Sequence, residues 1–123
     1  MNVDSAQDLE KNVNRITELI KNKKGEDIIV LDLRNVSNIT DFFIITTGTS
    51  TVHVKAIADE ITEKLKNEDS VKPWHIEGYA ALKWILLDYV DIVVHVFDKE
   101  TRLCYSLEKL WKDAGLKEIE TNY

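Results

Sequence analysis

Two stretches of this chain, "DIIVLDL" (27–33) and "FFIITTG" (42–48), are apolar at consecutive positions rather than at alternate ones. Consecutive β-branched and aromatic residues in runs of this length fit strands buried on both faces. Strands of that kind need a sheet with cover on two sides. A further segment, "ALKWILLDYVDIVVHVF" (81–97), holds two more runs at about 83–88 and 91–98, parted by Asp88 and Asp91. A short strand fits "WHIEG" (74–78), ended by Gly78.

The cover comes from helices. Leu9, Val13, Ile16 and Ile20 fall at spacings of 4, 3 and 4, which predicts an amphipathic helix over 4–22 with Asp4 or Ser5 as N-cap and Gly25 past its end. Val54, Ile57, Ala58, Ile61 and Leu65 make the apolar face of a second helix over 51–67, capped by Ser50 or Thr49. "DKETR" reads as a turn. Ser106 is expected to cap a last short helix, "LEKLWKDA", with Leu107, Leu110 and Trp111 inward and Gly115 as its stop. The charged tail, above all 118–123, is expected to fray. The order is α-β-β-α-β-β-β-α. It predicts one domain over 1–123, of α/β (α+β) class, with a mixed five-stranded sheet flanked by helices. The connection that follows 42–48 is long enough for a crossover, so some parallel pairing is expected.

A chain of 123 residues with 44% hydrophobic residues can bury a core without staples, and 4 Gly and 1 Pro leave little room for linkers. The formal net charge of −6 disfavours bulk nucleic-acid binding, which rests on neutralising phosphates, and suits a basic protein partner. The single cysteine, Cys104, fits a reducing compartment, and its apolar neighbourhood suggests a small core residue. "MNVDSAQDLEKN" has neither the basic nor the apolar region of a secretory leader, and no apolar run is long enough for a membrane span. The expectation is a soluble cytoplasmic protein.

Few constellations carry chemistry. "TTGTST" (46–51) joins a strand to a helix N-terminus, a place suited to anions, but neither GK[ST] nor GxGxxG is present. The simpler reading is that Gly48 relaxes a turn and Ser50 caps the helix. Nucleotidyl transfer also needs paired metal-binding carboxylates, usually D-x-D on a strand. Here Asp88 and Asp91 are spaced D-x-x-D, which puts them on opposite faces unless a turn lies between. His53, His75 and His95 and the lone cysteine have no metal-site spacing, so no metal or cofactor is implied. His95, inside "VVHVF", reads as a hydrogen-bonded strand histidine. Along 84–89 one face carries Trp84, Leu86 and Asp88 and the other Ile85, Leu87 and Tyr89. Both begin apolar, so one is core and the other is covered by a helix or a partner.

Taken in order, "NITDFFIITTGTSTVHVKAIADEI", "EG", "WILLDY", "DIVVHVF" and "RLCYSLEKLW" resemble the ribosomal silencing factor (iojap-like) family over roughly residues 5–113. The resemblance implies a protein that is not an enzyme, with a nucleotidyltransferase-like fold lacking the catalytic carboxylates. It implies binding to the large ribosomal subunit through ribosomal protein fourteen, a steric block on joining of the small subunit, and repression of translation under nutrient limitation. It also implies a homodimer in isolation. Carried over by position, the family's W-x-x-x-D-Y falls on Trp84, Asp88 and Tyr89, with Asp91 as the second acid and Leu86 and Leu87 contributing. The family usually has Gly where this chain has Val90, a replacement that strains the backbone if φ is positive there. A docking role for Trp84 predicts that Trp84→Ala loses at least about 2 kcal/mol of binding with the fold intact. A core role predicts a stability loss of roughly 3–5 kcal/mol. The alternative function is a nucleotide-binding enzyme of nucleotidyltransferase type using "TTGTST"; a third is a dimeric adaptor for some other basic protein.

Overall fold

The structure is a computed structural model and describes residues 6–110 and 114–123. Its first helix, α1 (Ala6–Asn22), lays Leu9, Val13, Ile16 and Ile20 against the sheet, as their spacing predicts. The candidate N-caps Asp4 and Ser5 lie outside the described residues. The left-handed residue after the helix is Lys24 (φ +59°), not the expected Gly25. Gly25 is needed for close approach instead: a Cβ there would collide with the Ile20 side chain and lie 2.8 Å from Thr46 Oγ1.

The strands follow as β1 (Glu26–Asp32) and β2 (Phe42–Gly48), then helix α2 (Thr51–Asp69), then β3 (His75–Glu77), β4 (Trp84–Asp88) and β5 (Ile92–Asp98). Two short helices, α3 (Lys99–Tyr105) and α4 (Leu107–Leu110), precede β6 (Gly115–Glu118). The sheet order is β3-β4-β5-β2-β1-β6. Among the described residues the one parallel pair is β2 with β5, joined by the crossover through α2 and the β3–β4 hairpin. The remaining pairs are antiparallel. The class is α+β with a mixed sheet, as expected, but with six strands instead of five.

Three expectations fail at the C-terminal end. "DKETR" is not a turn: Asp98 Oδ1 accepts the Thr101 N–H at 2.8 Å and caps α3. Ser106 does not cap the last helix with its hydroxyl, which donates to the Leu103 carbonyl; it ends α3 at φ +45°. Gly115 is not a helix stop but the first residue of β6, pairing with Asp32. The tail beyond is tied down, with the Ile119 N–H donating to the Ile28 carbonyl and the Tyr123 hydroxyl to the Gly25 carbonyl at 2.6 Å. The expected inward placement of Leu110 and Trp111 falls on side chains outside the described set.

The sheet is covered on both faces, as the unbroken apolar runs require. Under α1 and α2 lies the main core, which takes Ile28, Val30, Ile44, Ile85, Leu87, Val94 and Val96. On the outer face a smaller core gathers Leu31, Leu33, Ile45, Phe97 and Leu107, with Trp84 packed beside it. Arg102 staples α3 to this face through the Asp27 carbonyl at 2.6 Å and Thr47 Oγ1 at 2.8 Å. Cys104, expected in the core, is exposed because the α3 surface bearing it turns away from the sheet. Among the described residues no helix is long and apolar enough to cross a membrane.

Candidate functional site

The β4–β5 hairpin carries the residues singled out by the sequence. Its register pairs Trp84 with Phe97, Leu86 with His95 and Asp88 with Val93. The turn that sets this register is three residues wide. Asp91 N–H donates back to the Tyr89 carbonyl at 2.9 Å, and Tyr89 N–H to the Ile92 carbonyl at 2.8 Å. A bond from residue i+2 to residue i with Val90 at φ +74° is the strained form of γ-turn. Val90 therefore does take up the positive φ that would favour glycine. Asp88 Oδ1 accepts the Val90 N–H at 2.8 Å and braces the turn. The Asp91 carbonyl accepts the N–H groups of Asp41 and Phe42, tying the hairpin to the start of β2.

Alternation then sorts the candidates. Trp84, Leu86 and Asp88 lie half-buried on the outer face of β4. Leu87 (0% exposed) and Tyr89 (7%) point under the helices. The structure thus does not bring Leu87 and Tyr89 to the surface proposed for them, because every second residue of the strand belongs to the main core. They hold that surface from behind. The Tyr89 hydroxyl is buried without a hydrogen-bond partner among the described residues, and burial pushes its pKa up. Asp91 stands half-buried at the end of the turn. No ion pair among the described residues includes Asp88 or Asp91.

Cross-strand pairing adds Glu77 and His75 to the outer face, opposite Leu86 and Asp88. The result is a face with Trp84 and Leu86 at its centre and the carboxylates of Glu77 and Asp88 at its margin. Trp84 is neither plain core nor a free surface ring. Its centroid lies 4.8 Å from Phe97 and 4.8 Å from Tyr105, and its Nε1–H donates to His95 Nδ1 at 3.0 Å. Trp84→Ala would therefore remove packing as well as surface.

Two further features bear on the alternatives. At "TTGTST", Ser50 Oγ accepts the His53 N–H, His53 Nδ1 accepts the Thr49 N–H at 2.8 Å, and His53 Nε2 donates to the Lys23 carbonyl at 2.7 Å. The Thr49 and His53 N–H groups are thus paired locally, and a Cβ on Gly48 would sit 2.8 Å from the Val54 nitrogen. Gly48 and Ser50 serve the strand-to-helix junction, with Gly48 allowing close approach rather than a special φ.

Sequence reasoning missed Trp74, which is 74% exposed and lines a surface notch of about 380 Å³ with Val90 (56% exposed) and Asp91. The available signal was a bulky aromatic placed directly after Pro73, where the chain leaves the second helix.

A family described as "Ribosomal silencing factor during starvation" matches residues 6–122. The ribosomal silencing factor of Halalkalibacterium halodurans is 43% identical over 101 residues, which is 82% of this chain and 86% of that protein. A mouse protein named for mitochondrial assembly of the ribosomal large subunit is 33% identical over 104 residues, 80% of this chain and 44% of its own length. A crystal structure of a Chromobacterium violaceum protein superposes with a TM-score of 0.79 at 32% identity, covering 98% of this chain and 92% of that one.

Proposed function

This chain belongs to the ribosomal silencing factor family, and on that premise we propose that it binds the large ribosomal subunit through ribosomal protein fourteen. Bound there, it occupies ground that the small subunit needs, so the two subunits fail to join and translation falls when nutrients are short. The protein works in the cytoplasm, as a homodimer when free. Its action is steric and needs no turnover.

The observation that carries this reading is the family match across 6–122. The outer face of β4 supports it. Trp84 and Leu86 offer aromatic and aliphatic surface, and Glu77, Asp88 and Asp91 offer carboxylates to a basic partner. In such an arrangement the charges steer and orient, while the desolvated aromatic supplies most of the affinity. β4 and β5 are paired along their length, so the surface is held rigid before the partner arrives.

Sedimentation tests it. The protein should pellet with isolated large subunits, not with joined ribosomes, and should lower the joined fraction when subunits are mixed. Equal pelleting with small subunits, or undiminished joining at saturation, would sink the proposal. The enzyme alternative is decided by calorimetric titration with a nucleoside triphosphate and magnesium. Binding lost in Ser50→Ala would favour it.

A further inference from the structure

His95 stands at the centre of β5, 3% exposed, in a strand whose other interior residues are apolar. It is the polar exception in a place where a leucine or phenylalanine would fill the same space. Burying an imidazole is unfavourable unless its nitrogens are paired. Only one of them is: Nδ1 accepts the Trp84 Nε1–H at 3.0 Å, while Nε2 has no hydrogen-bond partner among the described residues. An indole is a donor only, so what it needs from a neighbour is an acceptor. A neutral imidazole supplies one, and burial keeps this one neutral, with its pKa pushed down to about 3.

We infer that His95 is the positioning residue of the docking face: its Nδ1 fixes the Trp84 ring and uses up that ring's only polar atom. The inference rests on the docking role proposed for Trp84.

Three contacts define the pose. Phe97 and Tyr105 each lie 4.8 Å from Trp84 by ring centroids and restrict its tilt. The hydrogen bond to His95 selects one of the two ways an indole fits such a slot. His95 is held in turn by Phe43, edge-on at 4.5 Å. An anchor locked this way loses little freedom on binding. Because its N–H is spent inside the protein, the half of Trp84 that faces out is carbon and π-surface alone. The partner group that meets it is therefore aliphatic, or a cation over the ring, and not a hydrogen-bond acceptor.

The test uses full-length protein labelled with nitrogen-15. Three indole N–H signals are expected from the 3 tryptophans, and the Trp84 signal is assigned by its absence in Trp84→Phe. In the native protein that signal should exchange slowly with solvent. His95→Leu, which keeps the strand apolar, should speed its exchange and weaken binding to isolated large subunits about tenfold, the upper end of what ordering one side chain costs. His95→Gln restores an acceptor and should recover both. A rapidly exchanging Trp84 N–H in the native protein would overturn the inference without any variant. So would unchanged binding in His95→Leu once its indole is released, or failure of His95→Gln to recover binding while matching native stability. Failure of the docking reading looks different: Trp84→Ala and Trp84→Phe would bind subunits normally while the native N–H remained protected.

Discussion

Val90 sits at φ +74° with its side chain 56% exposed, so little packing within the chain offsets the strain. A β-branched residue held in that region costs about 1–3 kcal/mol. Glycine would relieve it but adds about 0.5–1 kcal/mol of unfolded-state freedom. Val90→Gly should therefore stabilise the protein by about 1 kcal/mol, read as a higher urea midpoint at unchanged slope. A lower midpoint would mean that the valine side chain contributes more than its exposure suggests. His95 makes a second prediction. Its folded pKa of about 3 lies below the ordinary 6.5, so between those values the unfolded chain binds the extra proton. Stability from this group is complete above pH 6.5 and falls with acid by at most about 1.4 kcal/mol per pH unit until about pH 3. Asp32, held below the usual carboxylate range chiefly by its side-chain bond to Arg34, adds a further loss as pH falls through its folded pKa. Urea midpoints from pH 7 to 5 should drop in the native protein and stay flatter in His95→Gln. Equal slopes in the two proteins would remove His95 as the source.

At the level of elements, legibility followed burial. Strands β1, β2 and β5 announce themselves because both faces are covered, and α2 because Val54, Ile57, Ala58, Ile61 and Leu65 are all core. The elements misread are those whose burial is partial. α3 hides behind "DKETR" because its N-cap, Asp98, is also the last residue of β5, so strand and helix share a boundary with no loop between. β6 hides because its four residues are exposed and only Leu116 among them is a large apolar residue, and its strand character comes from lying along the edge of β1. Removing residues 115–123 should thus expose that edge. It would also free Ile119 from the main core and Tyr123 from its contact with Gly25. The expected loss is about 1–2 kcal/mol, less than a fully buried isoleucine would give. Self-association should rise through the unpaired β1 edge. An unchanged midpoint and unchanged light scattering would show that the tail contributes nothing to the fold.

The whole molecule is a sheet with two unequal faces, and that asymmetry decides which residues can serve a partner. The segment 84–91 was singled out as a unit by its resemblance to the family's W-x-x-x-D-Y pattern, but the division of labour inside it was not legible in the sequence. Only strand alternation, together with knowledge of which face α1 and α2 cover, sends Leu87 and Tyr89 inward and leaves Trp84, Leu86 and Asp88 outside. The pair Leu86 and Leu87 turns this into a test, because the two residues are identical in type and adjacent in sequence. Leu87→Ala opens a cavity in the main core and should cost about 2–5 kcal/mol of stability. Its folded fraction should still bind large subunits with native affinity. Leu86→Ala leaves that core intact and should change stability by roughly 1 kcal/mol or less. It should weaken subunit binding by a larger factor than Leu87→Ala does. Urea unfolding and subunit pelleting, run on both variants, separate the two faces. The reverse pattern, with binding lost in Leu87→Ala at full folding and kept in Leu86→Ala, would move the docking surface to the helical side of the sheet. Attention would then pass to the notch between Trp74 and Val90.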